Sequence, residues 1–149
     1  MNSSKINQLE LNPPSGNRPA SDPQEEMYRE NILDHFRNPH NYGLLKSASV
    51  HRRELNPLCG DEIEIALHLA GQKVKEVRFQ GQGCAISIAS ASLLTDYLKC
   101  RSVKEIMKIS SKTVLELLGI PISSSRIRCA LLALKTVQGC LEEYNAAQK

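Results

Sequence analysis

The clearest pattern in this chain is an alternation of apolar and polar side chains over residues 62–69. Such alternation predicts a strand with one buried face, formed by Ile63, Ile65, Leu67 and Leu69. A tight turn at 70–72 separates it from another strand over residues 74–80, and the two are predicted to form an antiparallel hairpin. A weaker, charge-rich strand over residues 48–55 is expected at an exposed edge.

A helix is predicted before these strands. Residues 22–25 (Asp-Pro-Gln-Glu) combine an N-cap, a proline in the first turn and a capping glutamate, and residues 38–39 (Asn-Pro) end the helix. We interpret His35 and His40, which flank that end, as surface or capping histidines. The face expected in the core contains Tyr28, Ile32, Leu33 and Phe36.

Four more helices are predicted after the strands. The first begins at Cys84 and is rich in small residues, and the second is capped by Ser102 with a glutamate three residues later. A third ends before Gly119, and the serines at 123–125 are expected to cap a long final helix. Its predicted core stripe consists of Ala130, Leu134, Val137, Leu141 and Tyr144. Strands and helices in this order predict an α+β protein.

Composition limits the kinds of partner. At 149 residues and 41% hydrophobic content, the chain suits one domain over residues 23–149, after a proline-containing tail over residues 1–22 that we expect to be disordered. A net charge of +3 and few aromatic residues argue against nucleic acid. No apolar run is long enough for a membrane span, and the N-terminus lacks signal-peptide or transit-peptide features, so we expect a cytoplasmic protein.

Five cysteines in a reducing compartment favour metal or thiol chemistry over a disulfide framework. Cys140 follows Cys129 by 11 residues on one predicted helix, and Cys100 follows Cys84 by 16 residues. At about 1.5 Å per residue these pairs are roughly 16 Å and 24 Å apart. Neither Cys140 nor Cys100 is therefore expected to share a metal with its nearer neighbour.

The other three cysteines lie where loops meet regular elements. Cys59 and Asp61 belong to a loop over residues 56–61, and Cys84 begins a helix whose dipole favours a thiolate. With Cys129, near the start of the final helix, they are four candidate metal ligands. The thiols are 25 and 45 residues apart, unlike the closely spaced Cys-x-x-Cys pairs of a zinc ribbon. Cysteines that are scattered in the core and bind no metal therefore remain an alternative.

Three motifs in order resemble those of the U-type iron–sulfur cluster assembly proteins, the IscU, SufU and NifU N-terminal family. They are Asn-Pro-Leu-Cys-Gly-Asp at 56–61, Gly-Gln-Gly-Cys-Ala-Ile-Ser at 81–87 and Arg-Ile-Arg-Cys at 126–129. The segment 28–43, which contains the first helix, resembles the family's opening as well. The resemblance implies a three-stranded antiparallel sheet packed by helices, with an exposed metal or cluster site at one end.

The same resemblance implies partners and cofactors. The partners are a pyridoxal-phosphate-dependent cysteine desulfurase, an iron donor and apo iron–sulfur proteins. Zinc is implied at the resting site, and a [2Fe–2S] cluster is implied as a transient occupant. Two departures matter: Arg128 replaces the histidine of IscU-type members, and residues 120–126 replace their chaperone motif. Because a guanidinium cannot ligate a metal, Arg128 is either an anion partner for a thiolate or persulfide, or a solvated charge.

We therefore expect a scaffold or sulfur acceptor that takes persulfide sulfur from a cysteine desulfurase at a metal site formed by Cys59, Asp61, Cys84 and Cys129. Cys59 is expected to be the first acceptor. A zinc-dependent sulfur carrier that never holds a cluster, and a structural zinc module, are the alternatives. An independent cysteine enzyme with Cys84 as nucleophile is less favoured, because no histidine adjoins any cysteine motif.

Overall fold

The computed structural model describes residues 23–148, so the predicted tail over residues 1–22 lies outside the described residues. Within the described part, a three-stranded antiparallel sheet and five α-helices confirm the predicted α+β class. In chain order the elements are α1 (Pro23–Arg37), β1 (Val50–Asn56), β2 (Asp61–Ala70), β3 (Lys73–Gln82), α2 (Ala85–Leu98), α3 (Val103–Met107), α4 (Ser111–Leu118), a 3-10 turn (Ser124–Arg126) and α5 (Ile127–Ala147).

The sheet has the order β1-β2-β3, and both neighbouring pairs are antiparallel. The predicted hairpin between β2 and β3 is present, with Ala70 opposite Lys73 and an irregularity in the register at His68 and Leu69. At the other end of the sheet, Asn56 pairs with Asp61 across β1 and β2. The loop that contains the first cysteine motif therefore closes one end of the sheet.

The helices cover the apolar face of the sheet. Helix α5 packs against β1 and β2, and α2 packs between β3, α5 and α1. Because α2 packs against other elements on most sides, residues on nearly every face of the helix are buried. The Ser90 hydroxyl donates a hydrogen bond to the Ala130 carbonyl of α5 at 2.6 Å. Most buried side chains of the strands, α2 and α5 form the main core, and a second cluster joins the starts of α2 and α5 to α1 and α4.

The prediction for His35 was wrong, because its side chain is buried. His35 is 6% exposed, and its Nδ1 lies 2.6 Å from the Ser92 hydroxyl of α2. Burial lowers the pKa of His35, and the neighbouring His40 lowers it further. His40 is exposed as predicted, and its Nδ1 lies 2.6 Å from an Asp96 carboxylate oxygen.

The predicted serine cap of the final helix was also wrong. The serines at 123–125 lead into the 3-10 turn, and Arg126 takes the N-cap position of α5 without a side-chain cap hydrogen bond. The turn uses the backbone hydrogen bond from Arg126 to Ser123. As a result Cys129 lies in the first turn of α5.

Candidate metal centre

Cys59 lies in a short turn between β1 and β2. The amides of Cys59 and Gly60 donate to the Asn56 carbonyl at 3.3 Å and 2.8 Å, and Gly60 has a φ of +74°, a conformation that glycine adopts without strain. The turn leaves Cys59 exposed at its surface. Asp61 begins β2 directly afterwards and is only 3% exposed, so its carboxylate faces inward beneath the exposed thiol.

Cys84 and Cys129 occupy the starts of two helices. Cys84 is the N-cap of α2, and its sulfur accepts a hydrogen bond from the Ser87 amide at 3.5 Å. Cys129 is 1% exposed, and its sulfur lies 3.3 Å from the sulfur of Cys59. The two helix starts thus meet the turn of the first motif at one end of the domain.

All four predicted ligands come together, although not equally closely. The donor atoms of Cys59, Asp61 and Cys129 lie within 4.8 Å of one another. Cys84 stands outside this group of three but contacts it through Asp61, since its sulfur lies 3.6 Å from one carboxylate oxygen and its amide donates to the other at 3.3 Å. Asp61 is therefore the link between Cys84 and the other two thiols.

The donor set fits a zinc ion. Two thiolates on one tetrahedral zinc are about 3.8 Å apart, and a thiolate and a carboxylate oxygen about 3.5 Å, from Zn–S and Zn–O bonds of about 2.3 and 2.0 Å. The observed separations are 3.3 Å between the sulfurs of Cys59 and Cys129 and 3.6 Å between Cys84 and Asp61. Both separations are close to these values, and soft thiolates suit zinc or iron.

Without a metal, the buried thiol is a poor thiolate. Burial raises the pKa of Cys129 far above its usual range, and hydrogen bonds with Asp61 and Cys59 raise it further. The nearby negative charges of Cys84 and Asp61 act in the same direction. Once ionised, three thiolates and a carboxylate at such short range repel one another. A bound cation would attract all four and so favour their ionised forms.

Cys100 and Cys140 lie outside the group, as the helix distances predicted. Cys140 is fully buried in α5, and this burial raises the pKa of its thiol to about 12, so it stays protonated. Cys100 is exposed beyond the end of α2, with a φ of +66°. Neither belongs to the close group of donor atoms.

Arg128 is exposed in the first turn of α5, one residue before Cys129. It lines a shallow groove of about 270 Å³ together with Pro57, Leu131 and Lys135, beside the turn that carries Cys59. Among residues 23–148 it forms no ion pair. Its role as an anion partner stays a prediction.

Sequence reasoning missed three residues that shape the centre. Asn56 contacts the Cys129 sulfur, and Ser87 contacts Cys84 through both its amide and its hydroxyl. Gly83 leaves room for Asp61, because a Cβ there would lie 2.8 Å from a carboxylate oxygen. Asn before Pro is a signal for a side-chain-capped turn, but nothing local in the sequence marks the contact with Asp61.

The fold and the convergent thiols agree with comparisons to known proteins. The family model of the NifU-like N terminal domain matches residues 27–149, and the chain belongs to that family. This confirms the resemblance carried by the three cysteine motifs. No helix among residues 23–148 is long and apolar enough to cross a membrane.

Named relatives fall into two functional groups. The iron-sulfur cluster assembly scaffold protein IscU 1 of Archaeoglobus fulgidus is 31% identical over 118 residues, covering 79% of this chain and 76% of that protein. The zinc-dependent sulfurtransferase SufU of Bacillus subtilis is 31% identical over 131 residues, covering 76% and 88%. A solved structure of a candidate cluster assembly scaffold for the SUF system of Fervidobacterium islandicum AW-1 matches with a TM-score of 0.65 at 25% identity, covering 75% and 94%.

Proposed function

We propose that this protein is an iron–sulfur cluster assembly scaffold that accepts persulfide sulfur from a cysteine desulfurase. The observation that carries the proposal is the convergence of three thiols and one carboxylate at one end of the domain. Membership of the NifU-like family and the names of its IscU and SufU relatives support it. The [2Fe–2S] cluster would be cargo, and apo iron–sulfur proteins would receive it.

Cys59, Asp61, Cys84 and Cys129 would hold the resident zinc. When bound, zinc supplies a positive charge that keeps its thiol ligands deprotonated at neutral pH. Asp61 is the one hard ligand among soft thiolates, so it is the ligand expected to exchange first. X-ray absorption on the zinc protein tests the assignment: we expect sulfur and oxygen ligands, and a shell of nitrogen and oxygen alone would contradict it.

We propose Cys59 as the first sulfur acceptor because it is the exposed thiol of the group, whereas Cys129 is buried and Cys84 is half-buried. Its turn also contains Gly60, where backbone motion costs little. In the transfer, the Cys59 thiolate attacks the terminal sulfur of the partner's persulfide. A new S–S bond forms at Cys59, the partner's S–S bond breaks, and the partner cysteine leaves as a thiolate.

A single-turnover reaction tests this assignment. The protein is mixed with a pyridoxal-phosphate-dependent cysteine desulfurase and one equivalent of cysteine, and persulfides are trapped and mapped by mass spectrometry. The extra sulfur is expected on Cys59, the Cys59→Ser variant should accept none, and Cys100→Ser should behave as wild type. Extra sulfur on Cys84 or Cys129 while Cys59 stays a plain thiol would refute the assignment.

A zinc-dependent sulfur carrier that never holds a cluster is the second candidate, and the zinc-dependent SufU relative favours it. Adding ferrous iron to the anaerobic reaction separates the two. A scaffold should develop the visible absorption of a [2Fe–2S] cluster, whereas a carrier should take up sulfur without it. If zinc removal unfolds the domain, a structural zinc module is indicated instead.

The setting of this activity is part of the proposal. We infer a cytoplasmic protein whose partners are the desulfurase, an iron donor and apo iron–sulfur proteins. A pull-down with the desulfurase, with and without zinc, would test the first partnership. Arg128, next to Cys129 in the chain, is a candidate anion partner for the persulfide. Arg128→Gln should then slow sulfur transfer without lowering zinc content.

A further inference from the structure

Asn56 is a buried polar residue at the edge of the metal centre that uses both ends of its side chain. It ends β1 and is 6% exposed. Its Nδ2 donates to the Cys129 sulfur at 3.9 Å, and its Oδ1 accepts the Leu58 amide at 3.2 Å. A buried carboxamide is costly to leave unpaired, so these two contacts restrict its orientation.

The backbone of the same residue holds the turn that carries the exposed thiol. Its carbonyl accepts the amides of Cys59 at 3.3 Å and Gly60 at 2.8 Å. Across the sheet, Asn56 is also the register partner of Asp61. One residue therefore contacts the Cys59 turn and the Cys129 sulfur, and pairs with the strand position of the carboxylate.

We propose that Asn56 is a positioning residue of the metal centre. Its Oδ1 fixes the turn that presents Cys59, and its Nδ2 donates a hydrogen bond to the Cys129 sulfur, so the carboxamide sets the spacing of these two thiols. Groups that hydrogen-bond to metal ligands orient them and tune the metal. The inference depends on the proposed function only in taking the two thiols as metal ligands.

The two contacts of the side chain can be separated by substitution. Asn56→Ser keeps an oxygen able to accept the Leu58 amide in a Ser-type turn but is too short to reach the Cys129 sulfur. Asn56→Ala removes both contacts. Pro57→Ala is the matched control, since it alters the same turn while leaving the carboxamide in place.

Cobalt(II) is the probe, because its thiolate complexes absorb in the near ultraviolet and visible. We expect cobalt affinity to fall about 10–100-fold in Asn56→Ser and Asn56→Ala, the usual effect of removing a group that supports a ligand. The sulfur-to-cobalt absorption should also shift in Asn56→Ser, and Pro57→Ala should match wild type in both. Far-ultraviolet circular dichroism checks folding, and if Asn56→Ala does not fold, Asn56→Ser decides.

Wild-type affinity and an unshifted band in Asn56→Ser would overturn the proposal. An equal loss in Pro57→Ala would also overturn it, because the turn rather than the carboxamide would then be responsible. If wild type binds no cobalt through thiolates, there is no metal centre for Asn56 to support, and both proposals fail. If wild type binds cobalt but accepts no sulfur from the desulfurase, only the proposed function fails.

Discussion

Replacing Gly83 by alanine tests how closely Asp61 and Cys84 must approach. A Cβ at position 83 would lie 2.5 Å from the Ser87 hydroxyl and 2.8 Å from an Asp61 carboxylate oxygen. Gly83 is not among the glycines with positive φ, so alanine meets no backbone strain there. The substitution therefore changes space alone, at the point where the carboxylate links Cys84 to the other two thiols.

The size of the effect follows from these contacts. Overpacking a filled site costs about 1–3 kcal/mol of unfolding free energy when the neighbours cannot move. Neither neighbour moves freely, since Asp61 accepts the Cys84 amide and the Ser87 hydroxyl donates to the Cys84 carbonyl. A displaced Asp61 should weaken zinc binding by about 10–100-fold, the usual effect of losing a group that orients a metal ligand.

Two measurements check the prediction: urea unfolding of the metal-free protein, and chelator competition for zinc. Gly71→Ala is the control, because Gly71 has a φ of +65° in the remote β2–β3 turn with nothing near its Cβ position. It should lose about 1–2 kcal/mol through backbone strain and keep wild-type zinc affinity. If Gly71→Ala loses stability but keeps wild-type zinc affinity, a zinc defect in Gly83→Ala cannot be explained by lost stability alone.

A double-variant cycle identifies which neighbour is responsible. Gly83→Ala combined with Ser87→Ala removes the shorter contact but keeps the one with Asp61, and it is compared with Ser87→Ala alone. We expect the zinc deficit to persist in the double variant. If zinc affinity is unchanged in Gly83→Ala, or is restored by Ser87→Ala, the argument that Gly83 makes room for a ligand carboxylate is refuted.

Three other predictions follow from burial and ligand chemistry. Cys100→Ser and Cys140→Ser should keep one zinc per chain by elemental analysis, and loss of zinc in either would contradict their exclusion from the site. Asp61→Ala should lengthen the lifetime of a [2Fe–2S] cluster, because the hard ligand is the natural exit point; faster decay of the visible absorption would count against this. Because burial lowers the folded-state pKa of His35, its contribution to stability is present above pH 6.5 and lost as pH falls towards that lowered pKa. In wild type, the urea midpoint should therefore fall as the pH is lowered from 7.5 to about 5. This fall should be smaller in His35→Gln and unchanged in the exposed control His51→Gln.

The sheet and the helices were predictable because their signals are local. Alternation located β2, and a capping box with Ser102 and Glu105 located α3, as the structure has them. His35 was not predictable in this way. Its Nδ1 contacts the hydroxyl of Ser92, 57 residues further along the chain, and no pattern near residue 35 indicates that contact. Tertiary packing decided where local polarity suggested a surface.

The candidate site was only partly predictable for a related reason. The exclusion of Cys100 and Cys140 followed from helix geometry. The other three cysteines and Asp61 were candidate ligands because they lie where loops meet regular elements, and the family resemblance supported that set. The closer grouping of Cys59, Asp61 and Cys129, with Cys84 joined through the carboxylate, required the structure. Side-chain rotation at a helix start is set by contacts such as that of Cys84 with the Ser87 amide, which spacing does not encode.

The interval of 25 residues between Cys59 and Cys84 is explained by the sheet rather than by the metal. Strand β2 leaves the site at Asp61, the chain reverses after Ala70, and β3 returns until Gln82 pairs with Glu62. Because the two strands are equally long, the residues after β3 arrive beside the first residues of β2. In this hairpin Cys84 therefore reaches Asp61, and the length of the hairpin sets the spacing. Motifs with a fixed short spacing, such as Cys-x-x-Cys, place two metal ligands in one loop. Here the sheet instead brings ligands from distant loops together.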